Sequence, residues 1–492
     1  MYVGLDLGTS SLKGVALTTS GQIVSRASGR YPTRRPGAGL AEQDPASWLG
    51  AARSVIGQLT AGVPGSRWAG IGLAGMIPTL VTVDDLGNPT GPAITWEDSR
   101  AEAQGRRLRT DVGEARLYAA TGQWVDGRYL LPMLAWLGEH EPVRVAATRK
   151  VLGAKDYLFS WLTGRYVTDP STATGFGCYD LEAGAWNPEF ARAAGLRDAG
   201  MLPDVLAPST ALPLDVETGA ALGLNAGIPV VLGAADSALG LLGMGATDQG
   251  SVACIWGSSC VVLGVSAQPV PDPRHRYLVM PLAGISGWGL EMDLVSAGSA
   301  MGWLAATLNL DKHAAGEPVE DLLALAAEAP IGAHGVSFLP FLAVGEQGAR
   351  WDPVLRGSVL GLSLANGPAD LARALVEGLV LESRRCLGVL DEAGLPPSPI
   401  GVAAGSRSAP LLARLLADST GRDAVWSPDE PPYSAIGAAL LAAAGTGARV
   451  RPAWRSERIT PDSAAVRGWA ALAARHESLV RWAHDIYGPA GA

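Results

Sequence analysis

Two stretches about 250 residues apart constrain this chain more than anything else in it. They are Tyr2-Val3-Gly4-Leu5-Asp6-Leu7-Gly8-Thr9-Ser10-Ser11-Leu12-Lys13-Gly14-Val15-Ala16-Leu17 and Gly250-Ser251-Val252-Ala253-Cys254-Ile255-Trp256-Gly257-Ser258-Ser259-Cys260-Val261-Val262-Leu263. In each, an apolar run meets a tight turn of glycine and small hydroxyl residues and is followed by a second apolar run, the pattern of a β-hairpin. Such a turn leaves several backbone N–H groups without ladder partners and aimed into one concavity, which suits phosphate oxygens. One hairpin of this kind is weak evidence, because Gly-Ser/Thr turns also simply close hairpins. Two, one in each half of the chain, predict a duplicated α/β domain that grips a polyphosphate from both sides. Asp6, where the first strand ends, is placed to hold a metal ion or its water shell against that phosphate. The alternative for Asp6 is a turn-forming aspartate bonded to its own backbone.

A chain of 492 residues is too long for one core, so two large domains are expected, at residues 1–244 and 245–492. The glycine-dense passage Gly243–Gly250 is the expected boundary and hinge. Four cysteines follow no metal-ligand spacing, and none of the six histidines pairs with another at such a spacing. Cys254 and Cys260 lie in the apolar strands of the second hairpin and read as buried free thiols. The first strand starts at Tyr2, which leaves no room for a signal peptide, and no apolar run reaches the roughly 18 residues that span a bilayer. A net charge of −9 argues against nucleic acid as a general partner. A phosphate pocket needs only local donors, so ATP is not excluded. The expectation is a cytoplasmic enzyme with a small-molecule substrate, no membrane or nucleic-acid partner, and room for a homodimer.

The first half alternates strand and helix signals. Asp44-Pro45 reads as an N-cap followed by proline at the first helical position, opening a helix to about Leu59. Strands are expected over Trp68–Leu73, Leu80–Val83 and Ile228–Gly233, and helices over Glu97–Thr110, Leu130–Gly138 and Asp156–Leu162. The second half repeats the logic, with helices over Pro368–Leu390, Ala409–Thr420, Ser434–Ala444 and Ala464–Ile486 and a strand over Pro399–Ala403. Alternation of this sort predicts mostly parallel sheets covered by helices.

Beyond the hairpins, several segments stand in a specific order. They are Glu42-Gln43-Asp44-Pro45, Trp96-Glu97-Asp98-Ser99-Arg100, Lys155-Asp156-Tyr157 with Leu162-Thr163-Gly164, and Gly233-Ala234-Ala235-Asp236. After the second turn, Gly257-Ser258-Ser259, come Gly345-Glu346, Trp351-Asp352-Pro353 with Arg356-Gly357, and Gly405-Ser406-Arg407-Ser408. With Gly4-Leu5-Asp6-Leu7-Gly8-Thr9-Ser10, this set resembles the FGGY family of carbohydrate kinases, in its xylulokinase-like branch, over nearly the whole chain. The resemblance implies two duplicated actin/hexokinase-like (ribonuclease H-like) domains, with sugar and Mg-ATP in the interdomain cleft.

Moving a γ-phosphoryl group to a sugar hydroxyl requires an alcohol held in line, an acceptor for its proton, and neutralisation of phosphate charge. Asp236, at a strand end next to a helix N-terminus, suits the proton acceptor, although aspartate there also caps helices. The resemblance makes Asp236 the catalytic base and, with Asp6, the magnesium-side carboxylate. It implies phosphate and nucleotide contacts from Gly8, Thr9, Ser10, Lys13, Gly257, Ser258, Ser259, Gly405, Ser406 and Ser408. Sugar contacts are implied from Ile77, Pro78, Trp96, Asp98, Arg100 and Ser237. Lysine flanking a strand is commonly a solvated residue, and tryptophan is commonly core, so Lys13 and Trp96 each carry a second reading.

The sugar end departs from the pattern. Met76-Ile77-Pro78-Thr79 stands where xylulokinases show Gln-Met-His-Gly, and proline has neither a side-chain donor nor an N–H. Met133 replaces a lysine, Ser237 follows the base in place of Asn or Gln, and Gln347 stands where Gly-Glu-Arg is usual. Ala403-Ala404-Gly405 replaces three glycines beneath the nucleotide. A ketopentose, related sugar or polyol is expected as substrate, with D-xylulose itself disfavoured. The competing readings are an ATPase that touches no sugar and a non-catalytic sugar or nucleotide sensor on the same fold.

Overall fold

The computed structural model describes residues 1–196, 198–310, 318–343, 348–405, 407–429 and 431–488. Two hairpins seed two sheets. The first contains β1 (Tyr2–Leu7), β2 (Ser11–Leu17), β3 (Ile23–Arg30), β4 (Gly70–Gly75), β5 (Ala211–Pro213) and β6 (Pro229–Ala235), in the order β5-β6-β4-β1-β2-β3. The second contains β7 (Val252–Trp256), β8 (Cys260–Ser266), β9 (Leu278–Pro281), β10 (Trp288–Leu294), β11 (Ile400–Ala403), β12 (Ala424–Trp426) and β13 (Glu457–Ile459), in the order β9-β10-β8-β7-β11-β12-β13. In both, the first hairpin strand is central. Its hairpin partner lies antiparallel on one side, and a parallel strand from later in the chain lies on the other. The repetition of this order is the duplication that the two turns predict.

Mostly parallel sheets are not what forms. Each sheet has two parallel pairs, β1–β4 and β4–β6 in the first and β7–β11 and β11–β12 in the second, and its other neighbours run antiparallel. A tight turn can only join antiparallel neighbours, so the two hairpins also make the sheets mixed. All six residues of β1 are buried, as expected for a central strand covered on both faces.

The principal helices are α1 (Pro45–Gly62), α2 (Ala154–Thr163), α3 (Asp236–Met244), α4 (Gly298–Thr307), α5 (Pro368–Glu392), α6 (Ala409–Thr420), α7 (Tyr433–Gly445) and α8 (Ser463–Tyr487). Asp44 caps α1 by accepting from the Ala46 N–H at 3.0 Å. Trp48, Val55, Ile56 and Leu59 of α1 are then buried in the first core. The helix expected from Glu97 begins at Glu102 instead, because Asp98 is drawn into a turn in which its N–H bonds the Thr95 carbonyl at 2.9 Å.

Two helices are exchanged between the halves. Helix α3 follows the first sheet in the chain, yet its Ala238, Leu241 and Met244 pack with Ala253, Leu263 and Val265 of the second. Helix α7 comes from the second half, and its Ala435, Ala438, Ala439 and Ala442 pack with Tyr2, Val15, Ala74 and Val231 of the first. Contact is nearly backbone to backbone. A Cβ on Gly4 would fall on the Ala435 carbonyl oxygen, and one on Gly437 would fall on that of Leu239. Glycine is used here for close approach.

All four cysteines are buried and free. Among the described residues, no helix is long and apolar enough to cross a membrane.

Candidate functional site

Strand β6 delivers Asp236 to the first turn of α3. Ala235, not Asp236, holds the N-cap position, and no side chain caps this helix. Asp236 Oδ1 accepts from the adjacent Ser237 N–H at 2.9 Å. The capping reading of Asp236 therefore does not apply. Burial, then the charges of Asp6 and Glu291, push the Asp236 carboxyl well above the usual carboxylate range.

Asp6 is the penultimate residue of β1 and is 8% exposed. Its Oδ1 is buried and has no partner among the described residues. Burial raises its proton affinity, and the charge of Lys13 opposes that rise. An orphaned, charge-bearing oxygen facing a cleft fits a metal ion or its water. No group of three or more His, Cys, Asp or Glu side chains able to hold a metal occurs among the described residues, so further ligands would have to come from phosphate and water. Tyr31 closes the first turn by donating its hydroxyl to the Gly8 carbonyl. Among the described residues, the Thr9 and Ser10 N–H groups meet no backbone acceptor, as the phosphate reading requires.

The second turn is held from behind. The Gly257 carbonyl accepts from the Gly298 N–H at 3.1 Å, and the Ser258 carbonyl accepts from the N–H groups of Ala297 and Ser299 at 3.1 and 3.0 Å. The first amides of α4 thus anchor the turn by its carbonyls. One opening runs from Asp6 and Lys13 past Ala403, Ala404 and Gly405. It continues into a hollow lined by Gly257, Ser258, Ser299, Glu320 and Ser408. The Ser408 hydroxyl donates to Glu320, so this serine shapes the hollow rather than offering a donor to it. Ser406 lies outside the described residues, as do Gly345, Glu346 and Gln347.

A second, smaller pocket shares no lining residue with this opening. Ile77, Pro78, Trp96, Leu278 and Met280 form its apolar walls, and Gln123, Arg128, Tyr129, Glu291 and Asp293 its polar ones. Trp96 donates its indole N–H to Thr9 Oγ1 at 3.0 Å and packs against the first core, so it is both wall and core. Asp98 and Arg100 are not part of this pocket. Asp98 is 1% exposed; it accepts from the Ala41 N–H at 2.7 Å and pairs with Arg100, which also reaches Glu42 at 2.9 Å. The short loop between them saturates both groups, which corrects their assignment to the sugar. Ser237 is corrected too, because its hydroxyl donates to Glu291 Oε2 at 2.7 Å.

Five polar residues of the pocket were not picked out from sequence: Gln123, Arg128, Tyr129, Glu291 and Asp293. Burial lifts the Glu291 carboxyl to about 7 against a bond from Ser237. It lifts Asp293 to about 6 against the charge of Arg128 and a bond from Ser259. A signal for these two was available. In Leu290-Glu291-Met292-Asp293-Leu294 the carboxylates alternate with apolar residues, so a strand there puts both on one face.

The N-terminal domain model of the FGGY family of carbohydrate kinases matches residues 1–243, and the C-terminal domain model of the same family matches residues 252–446. A xylulose kinase of Klebsiella pneumoniae is 31% identical over 444 residues, covering 90% of this chain and 89% of that protein. A gluconokinase of Bacillus subtilis is 26% identical over 456 residues, covering 90% and 87%. The crystal structure of xylulose kinase from Rhodospirillum rubrum superposes with a TM-score of 0.86 at 31% identity, covering 99% of this chain and 100% of that one. With duplicated sheets and paired turns matching both domain models, this chain belongs to the FGGY family of carbohydrate kinases and is a phosphotransferase that acts on a sugar hydroxyl.

Proposed function

We propose that the protein transfers the γ-phosphoryl group of Mg-ATP to a hydroxyl of a ketopentose or a related sugar or polyol, with Asp236 as general base. The observation that carries this reading is the position of Asp236, a half-buried carboxylate on the first turn of α3 with Asp6 close enough to raise its proton affinity. A raised affinity makes a carboxylate a stronger base for an alcohol proton. The substrate hydroxyl gives its proton to an Asp236 carboxylate oxygen as its own oxygen bonds the γ-phosphorus, and the bond to ADP breaks.

Thr9, Ser10, Ser258 and Ser259 would hold the phosphates through turn amides and hydroxyls, and Lys13 would offset their charge. Asp6 would hold magnesium, which when bound supplies neutralisation of phosphate charge. Ala403, Ala404 and Gly405 would underlie the nucleotide. Asp236→Asn keeps shape and removes charge. It should lower kcat by at least ~10²-fold, the usual span of general-base removal, with the KM for ATP nearly unchanged. Wild-type turnover in that variant on its best substrate would overturn the assignment.

A further inference from the structure

The cleft is electrically divided. Lys13 and Arg26 line the opening on the nucleotide side, whereas the smaller pocket is lined by Glu291 and Asp293 with Arg128 as its cation. That cation is already matched. Asp126 receives the Arg128 Nε at 3.1 and 3.0 Å, and the charge of Arg128 also acts on Asp293. One guanidinium thus stands against Asp126, Asp293 and Glu291, and both pocket carboxylates also repel Asp236. Among the described residues, the pocket has no cationic surplus.

The two carboxylates also need donors. Ser237 supplies one to Glu291 Oε2 at 2.7 Å, while Asp293 Oδ1 is buried without a partner among the described residues. A buried acceptor left unpaired is unfavourable. A ligand hydroxyl or ammonium group would satisfy it, and a ligand carboxylate would bring a further negative charge into a desolvated site.

We infer that Glu291 and Asp293, supplied by β10 of the second domain, determine substrate specificity by accepting hydrogen bonds from substrate hydroxyls and by excluding sugar acids. The acceptor class is therefore a neutral polyhydroxy compound, with an aminodeoxy analogue tolerated and an aldonate refused. This rests on the kinase reading above and narrows it. Because the pair comes from the second domain and Ile77, Pro78 and Trp96 from the first, a substrate that satisfies Asp293 also bridges the two halves.

The test measures ADP release with purified full-length enzyme and a matched five-carbon panel of ketoses, polyols, the corresponding aldonates and aminodeoxy polyols. The best neutral compound should exceed its aldonate in kcat/KM by at least ~10²-fold, the scale of one unfavourable buried charge. Asp293→Asn and Glu291→Gln should each narrow that ratio at least ~10-fold, chiefly through the KM of the neutral substrate. Wild-type enzyme that phosphorylates an aldonate as well as its neutral counterpart overturns the inference and leaves the kinase reading standing. So does a ratio unmoved in both folded variants. If a variant fails to fold, the wild-type ratio alone decides. Absence of turnover with every neutral and acidic compound overturns the kinase reading, and the inference with it.

Discussion

Asp98 and Asp236 carry the same side chain in the same half of the molecule and have opposite surroundings. Asp98 spends its oxygens on the Ala41 N–H and on Arg100. Among the described residues, the Asp236 carboxyl accepts one bond, from its neighbour Ser237, and otherwise meets like charge. Saturation marks a structural carboxylate, and a carboxylate held near repulsive neighbours marks a chemical one. Asp98→Asn should accordingly destabilise the fold by about 1–3 kcal/mol, since it weakens a charge-assisted bond to the buried Arg100 while Glu42 still balances that cation. It should leave the sugar KM of the folded fraction within about 2-fold, the scatter expected when no substrate contact is lost. Thermal melting beside steady-state kinetics separates the two effects. Pro78 makes a second contrast, because the pocket wall it shares with Ile77 is apolar. A sugar hydroxyl aimed at that wall loses a water partner and gains none, at a cost of roughly 1–3 kcal/mol. D-xylulose should therefore have a lower kcat/KM than a stereoisomer, deoxy analogue or polyol that avoids the wall. A D-xylulose advantage above about tenfold, worth some 1.4 kcal/mol, would refute this.

At the scale of elements, the exchanged helices α3 and α7 carry the union of the two halves. Their contact depends on glycines whose missing Cβ atoms leave room for a carbonyl, Gly437 against Leu239 and Gly4 against Ala435. The obstacle in each case is main chain, which cannot rotate aside as a flexible side chain can. Gly437→Ala should therefore cost more than the 1–3 kcal/mol typical of core overpacking, although alanine has the higher helix propensity by about 1 kcal/mol. Chemical denaturation of the variant decides between these opposing effects. A variant as stable as wild type would show that the helices separate readily. The abundance of glycine and alanine was plain in the sequence, but its reason was not. Periodicity identifies an apolar helix without saying which sheet it covers.

Across the whole molecule, sugar and nucleotide are expected to draw the halves together about Gly243–Gly250, shutting water from the reacting groups. Small-angle scattering should give a smaller radius of gyration with both ligands bound, and an unchanged profile under saturating ligands would refute closure. The second domain is braced independently by Glu382, which is 1% exposed and receives Arg350 at 2.8 Å and His476 at 2.7 Å. Despite burial, these partners hold the Glu382 carboxyl down at about 2. Its stabilisation is thus fully present above the unfolded glutamate value of about 4.3 and is lost as pH falls toward about 2. Glu382→Gln should cost about 3–5 kcal/mol near neutrality, and the gap in melting temperature should close on acidification through that window. A gap independent of pH would deny the ion pair its role.

The turns, the central strands and the N-cap at Asp44 were legible because each depends on a few neighbouring residues whose sterics and hydrogen bonds act locally. The same holds for Asp6 and Asp236, which stand at strand ends that the apolar runs define. Tertiary structure alone decided that Glu291 and Asp293 of β10 line the same pocket as Ile77, Pro78 and Trp96 of the first half. It also decided that Ser237 bonds Glu291 54 residues along the chain, and that α3 and α7 change sides. Those outcomes depend on which groups satisfy one another when two separately encoded sheets are pressed together. No local propensity specifies such pairings, because the partners become neighbours only after the domains have folded and docked.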